Sequence, residues 1–285
     1  MTIAAGIMRK NQRREKVKIM FVSPQEGIGT TYCMMAVAAA AARNLKKSCL
    51  LMQIPSAGKE LEKLISEKKR ESDSDPLYQD MGIDTLVRYF KSKRLSGIDV
   101  DNCSICLGGK LYLLPGTGGK AEDGLNEADQ ISIMLRIINA AEEYFELVMV
   151  DIGVERSETA MRIMNMSDAV CVVGNQGRTG FKKMYAFAAC EKIAEEKIFY
   201  CFGKYLPEST YNLKNMQHIF EGVSAANSGV VPISAAYLDA VEDHRTIRFL
   251  SGFEGDPEET SDPVFFRDAV NCAKKLAKSN KRRRI

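Results

Sequence analysis

Short, nearly continuous apolar runs alternate along this chain with longer segments whose apolar residues recur at helical spacing. Val17 to Val22 (VKIMFV) is the first run and predicts a strand; SPQEGIGTTY follows, and then an Ala- and Met-rich segment to about Leu45 that predicts a helix. Ser48 to Ile54 (SCLLMQI) predicts a second buried strand, closed by Pro55. KELEKLISEKKRESDSDP predicts a short exposed helix running into a loop. A helix in GIDTLVRYFKSK, a strand in KLYLLPG, an amphipathic helix from Ala128 to about Tyr144 and a strand in ELVMVDIG come next. SETAMRIMNM and KKMYAFAACEKIAEE then read as helices, each followed by a strand, DAVCVVGN and KIFYCFGK. GVVPIS reads as a short edge strand, and an acidic loop, EGDPEETSDP, leads to a last helix beginning near Val264.

Alternation of this kind predicts an α/β fold, a mostly parallel sheet with helices on both faces. With 285 residues and 45% apolar content the chain can bury a full core. The expected organisation is a basic N-terminal extension at 1–16, a single domain at 17–279 and a basic tail at 280–285.

Charge and cysteine content narrow the function classes. Lys plus Arg total 40 against 37 for Asp plus Glu, a net charge of +3 that creates no whole-chain field demanding nucleic acid or a membrane. Basic residues crowd the two ends instead, between Arg9 and Lys18 and between Lys274 and Arg284. A short apolar stretch stands before the first basic cluster rather than after it, the reverse of a secretory signal, so the eight cysteines are expected in a reducing cytosol. No apolar run is long enough to cross a bilayer, which leaves peripheral membrane contact through the basic tail, or a solvated tail. Cys103 and Cys106 form a CxxC without a second pair at ligand spacing; two thiols on a turn entering the next strand is the reading set against a zinc site.

Candidate chemistry begins at Gly27 and Gly29, between the first strand and the first helix, where glycines let backbone N–H groups close around phosphate oxygens. Asp151 is the second candidate, a carboxylate after four apolar residues at the C-terminal end of a strand, where ligands bind in such sheets; an ordinary strand-end cap is the alternative. Thr30 and Thr31 could cap the following helix.

Taken together, SPQEGIGTTY resembles the deviant P-loop of the ParA/MinD superfamily, K-G-G-x-G-K-[ST]-[ST], and departs from it at three places. Gln25 stands where that family has its signature lysine, Glu26 where it has glycine, and Thr30 where it has the phosphate-binding lysine. The resemblance continues through the second strand, where Gln53 replaces an aspartate that organises Mg²⁺ and water. It extends to ELVMVDIG, whose Asp151 matches the Walker B carboxylate, to Gly203 at the adenine-contacting asparagine, and to Val231-Pro232 near the end. It covers about Val17 to Leu250 and implies the P-loop NTPase fold of ParA/MinD type. Residues 27–32 (Gly27, Ile28, Gly29, Thr30, Thr31, Tyr32) would form the nucleotide-binding loop, with Asp151 as the retained acid and Thr31 with Asp151 as Mg²⁺ ligands if nucleotide binds.

The middle of the chain resembles the ATPase-like domain of TadZ and CpaE, which localise and help assemble Flp-type pilus and secretion machinery; a receiver-like domain has no room before Val17. What the resemblance implies is a scaffold or localisation factor without efficient ATPase activity, binding ATP or ADP with Mg²⁺ weakly. It also implies a homodimer in the cytoplasm, with protein partners of a membrane-associated assembly at the inner face of the membrane. The alternative is a slow ATP-dependent spatial switch; a bacterial tyrosine-kinase-like activity is more distant, because the tail carries no tyrosine. A carboxylate such as Glu26 about 4 Å from a phosphate charge costs roughly 4 kcal/mol at an effective dielectric near 20. That cost falls if Glu26 turns to solvent, or if a cation such as Arg178 or Lys204 approaches.

Overall fold

In the computed structural model the described residues are 16–54, 60–65, 81–92, 94–116, 126–154 and 156–279. The basic extension before residue 16, the 69–76 stretch and the tail 280–285 lie outside them.

β1 (Val17–Val22) is buried nearly throughout, because it lies in the middle of an eight-stranded sheet with β5 (Leu147–Gly153) on one side and β6 (Ala169–Gly174) on the other. β2 (Cys49–Gln53) and β4 (Leu111–Leu113) extend the sheet beyond β5, and β7 (Ile198–Tyr205) and β8 (Ser228–Pro232) extend it beyond β6. All of these pairs are parallel. β8 is an edge, as GVVPIS predicted, while the other edge carries β3 (Ile105–Cys106), antiparallel to β4 and too short to leave a periodic signal in the sequence.

α1 (Thr30–Ala39) has apolar residues on every side and is buried on every side, packed between the sheet and α11 (Pro263–Leu276). Phe265, Ala269, Cys272, Ala273 and Leu276 supply the covering stripe of α11, while Val264 stays exposed. The opposite face is covered by α3 (Ile83–Ser92), α5 (Glu127–Tyr144), α6 (Glu158–Met166) and α7 (Arg178–Cys190). Two further turns of that layer, α4 (Gly97–Asn102) and α8 (Leu213–Ile219), are too short for periodicity to reveal; each is held by a side-chain cap, from Ser96 and Asn212. α2 (Glu60–Ile65) differs from its expected exposed character: Leu61 and Ile65 are buried against the α1 face, because the charges of the segment lie on its other side. α9 (Ala235–Glu242) and α10 (Thr246–Leu250) lead from β8 towards the closing helix.

All eight cysteines are free, Cys103 buried at the end of α4 and Cys106 exposed in β3, and among the described residues no metal-holding group of His, Cys, Asp and Glu occurs. No described helix is long and apolar enough to cross a membrane.

The end of α1 widens into a π turn, Ala40–Asn44, which aims Arg43 inward. Arg43 is buried, donates to the Leu107 carbonyl at 2.9 Å and pairs with Glu254, tying the helix end to the β3–β4 hairpin and the segment after α10. Replacing it with methionine keeps the stem and removes both bonds. Arg43→Met is expected to cost about 1–3 kcal/mol, a fall in melting temperature of roughly 2–4 °C per kcal/mol for a chain of this size.

Candidate functional site

Parallel strands carry their side chains in register, so Phe21, Gln53 and Asp151 stand side by side at the C-terminal end of the sheet, on the face that α1 covers. The loop from Ser23 to Gly29 rises from β1 at that edge. Its two glycines adopt left-handed conformations, φ +71° at Gly27 and +89° at Gly29, flanking the buried Ile28. Successive N–H groups in such alternation form a concave anion nest at a helix N-terminus.

Gly29 itself is the N-cap of α1, and no side chain caps the helix. Thr30 therefore does not have the capping role its position suggested; it is buried as the first helical residue. Thr31 Oγ1 donates to Asp151 Oδ2 at 2.5 Å, and the Gly153 N–H donates to Asp151 Oδ1 at 2.9 Å. These bonds hold Asp151 as an acceptor within a fully buried setting. Burial pushes its carboxyl above the usual range, and the bonds from Thr31 and Gly153 oppose that rise. Gln53 does not join them with a charge: its Oε1 accepts from the Leu61 N–H at 3.2 Å, in the first turn of α2.

Tyr32 turns away from the loop. Its ring centroid lies 4.1 Å from that of Tyr237 and 6.3 Å from that of Phe265, inside an aromatic cluster shared by α9 and α11. Gly203, at the end of β7, lies directly beneath the loop: a Cβ placed there would sit 2.8 Å from Cys33 Sγ and 3.5 Å from the Ile28 carbonyl oxygen. The loop has settled onto the strand at the point where the family resemblance put an adenine-contacting side chain.

Glu26 is exposed. Of the two cations that could approach, Arg178 bonds instead to the Tyr211 hydroxyl at 3.2 Å, while Lys204 reaches the loop, its Nζ 2.8 Å from the Gly27 carbonyl oxygen. Sequence reasoning missed two others: Lys183 on α7, whose ammonium donates to Gln25 Oε1, and Arg156 after β5, which donates to the Pro24 carbonyl at 3.4 Å. Only the crossing of loop and helix brings them together, and nothing in their local sequence signals it.

No family model matches the chain, and no curated protein does. Solved structures do. The fold is similar to that of a ParA family ATPase from Chlorobium tepidum TLS (TM-score 0.65, 14% identity, 92% of this chain and 98% of that one). It is likewise similar to the septum site-determining protein MinD complexed with Mg-ADP from Pyrococcus horikoshii OT3 (TM-score 0.63, 12% identity, 92% and 96%). A third match is to the MinC:MinD cell division protein complex of Aquifex aeolicus (TM-score 0.61, 14% identity, 91% and 95%). The class is therefore a P-loop NTPase fold, an eight-stranded and mostly parallel sheet with helices. Within that class the architecture is the ParA/MinD one.

Two outcomes follow from the packing and charge. Gly203→Ala overfills the contact between β7 and α1 and is expected to cost about 1–3 kcal/mol in a denaturant melt. For Asp151, a carboxyl held above its unfolded value binds more protons in the native state, so its ionisation costs stability as pH rises through the folded value. Asp151→Asn, whose amide can still accept from Gly153 and donate to Thr31, is expected to raise the melting temperature at pH 7. The gain over wild type should shrink towards pH 4, as followed by thermal melts across that range.

Proposed function

We propose that this protein is a ParA/MinD-like scaffold or localisation factor whose nucleotide site no longer supports efficient ATP hydrolysis, with residues 17–279 acting as one domain. The observation that carries the reading is what lines the cradle. Thr30 occupies the phosphate-binding lysine's place at the start of α1, and Gln53 stands beside Asp151 with its carbonyl oxygen given to α2. Gly27 and Gly29 suit a phosphate anion, and Thr31 with Asp151 suit a magnesium ion, but no cation is carried on α1 itself. Positive groups aimed at the transferring phosphoryl are the largest usual catalytic contribution in this chemistry. Gly203, covered by the Ile28 carbonyl, offers no side chain for a base.

In this reading the chain works as a homodimer with protein partners, in the manner of TadZ and CpaE in pilus or secretion assemblies. It sits in the cytoplasm, with peripheral contact at the inner face of the membrane through its basic tail. That the Aquifex aeolicus MinD was solved together with MinC supports a protein-binding role for this fold. Lys204 favours a second reading, a slow ATP-dependent switch in which the cation comes from β7 instead of α1.

Melting the purified protein with and without millimolar Mg²⁺-ATP separates the two. A ligand present at 100 times its Kd adds about 2.7 kcal/mol to the native state. The scaffold reading expects no shift and no turnover; a clear upward shift accompanied by phosphate release would establish the switch instead.

A further inference from the structure

Phe202 and Tyr205 on β7 face the same hydrophobic core although they stand three positions apart, an odd offset that places two side chains on opposite faces of a regular strand. Strand β7 solves this with an irregularity in its pairing to β8 between those residues, and Lys204 within it takes a left-handed φ of +48°. Such a conformation is costly for a residue with a Cβ. Its effect is directional: the lysine leaves the core face and lies along the glycine loop. Its Cε is 3.7 Å from the position of a Cβ on Gly29, and its ammonium is on the Gly27 carbonyl.

Around the same loop, Lys183 holds the Gln25 side chain and Arg156 holds the Pro24 carbonyl. From inside, Ser23 closes a turn on Gln25, its hydroxyl donating to the Gln25 carbonyl at 2.8 Å. Loops of this shape hold carbonyl oxygens on their outer rim and N–H groups within. In a nucleotide-binding protein the phosphates gather the inner groups; here cations from β7 and the segment after β5 hold two outer carbonyls, and one from α7 holds a side-chain oxygen of the loop.

We infer that Lys204, supported by Lys183 and Arg156, straps the glycine loop to the sheet edge, so that the loop keeps its folded shape without a phosphate ligand. This rests on the reading of a site that works without nucleotide and supplies its physical means: the ordering that a ligand would provide is built into the chain. The consequence is a loop at the C-terminal edge of the sheet whose shape does not depend on nucleotide.

Hydrogen exchange on the full-length protein, without nucleotide, tests the strap in residues 23–32. Wild type is expected to show protection there. Lys204→Ala should exchange at least about threefold faster in that segment, the scale of one lost charge-assisted hydrogen bond at a partly exposed position. Lys204→Met, which keeps the aliphatic stem and removes only the ammonium, should behave the same way, and it remains informative if the alanine variant folds poorly. Unchanged exchange in Lys204→Met, or a wild-type loop already exchanging at the unprotected rate, overturns the strap. The reading of a site that works without nucleotide fails on a different arm: added Mg²⁺-ATP would raise the wild-type melting temperature, whatever the nucleotide-free exchange shows.

Discussion

Burial of α1 on every side is the constraint on which the rest of this molecule depends. Beyond its first turn α1 is made of Cys, Met, Ala and Val and has no polar face to leave in water, so it is driven between the sheet and α11. Small side chains let it approach closely, and the strands answer with small residues of their own: Cys33 lies over Gly203, and Cys272 of α11 lies over Gly229. Because the helix cannot shift, its first turn has a fixed height above the ends of β5, β6 and β7. That height decides everything at the candidate site.

At that height Thr31 meets Asp151 directly, and the Ile28 carbonyl rests above Gly203. The site is thus satisfied largely by its own chain. Asp151 is buried and keeps its two hydrogen bonds, yet burial still pushes its carboxyl upward, the signature of an acid retained at some cost to stability. Arg43, at the far end of the same helix, anchors it a second time through Leu107 and Glu254. One rigid helix therefore couples the hairpin at one sheet edge to the loop at the centre.

The loop combines the backbone shape of an anion cradle with cations bound to its outer side. Gly27 and Gly29 give it the backbone curvature of a phosphate cradle, while Lys204 bonds to the Gly27 carbonyl and Lys183 to the Gln25 side chain. Lys204, Lys183 and Arg156, from three separate elements, each bond to the loop.

Much of this was legible in the chain alone. Apolar runs such as VKIMFV and ELVMVDIG read as central parallel strands, because both of their faces must be buried, and the glycines after the first of them mark a backbone that turns left-handed. The order of these elements already carried the fold, and Asp151 stood out as a candidate because it is a carboxylate at the C-terminal end of a buried strand. Short elements such as α4, α8 and β3 were not legible, since a turn or two of helix or a two-residue strand leaves no period. Nor was the fate of each polar group. Whether Thr30 capped a helix, whether Glu26 faced the cradle and which cation came to the loop all depend on distances between segments far apart in sequence: Lys204 and Gly27 meet only because β7 lies one strand removed from β1 and bulges at its end. Periodicity records which face of an element is buried, but only packing decides what that face meets.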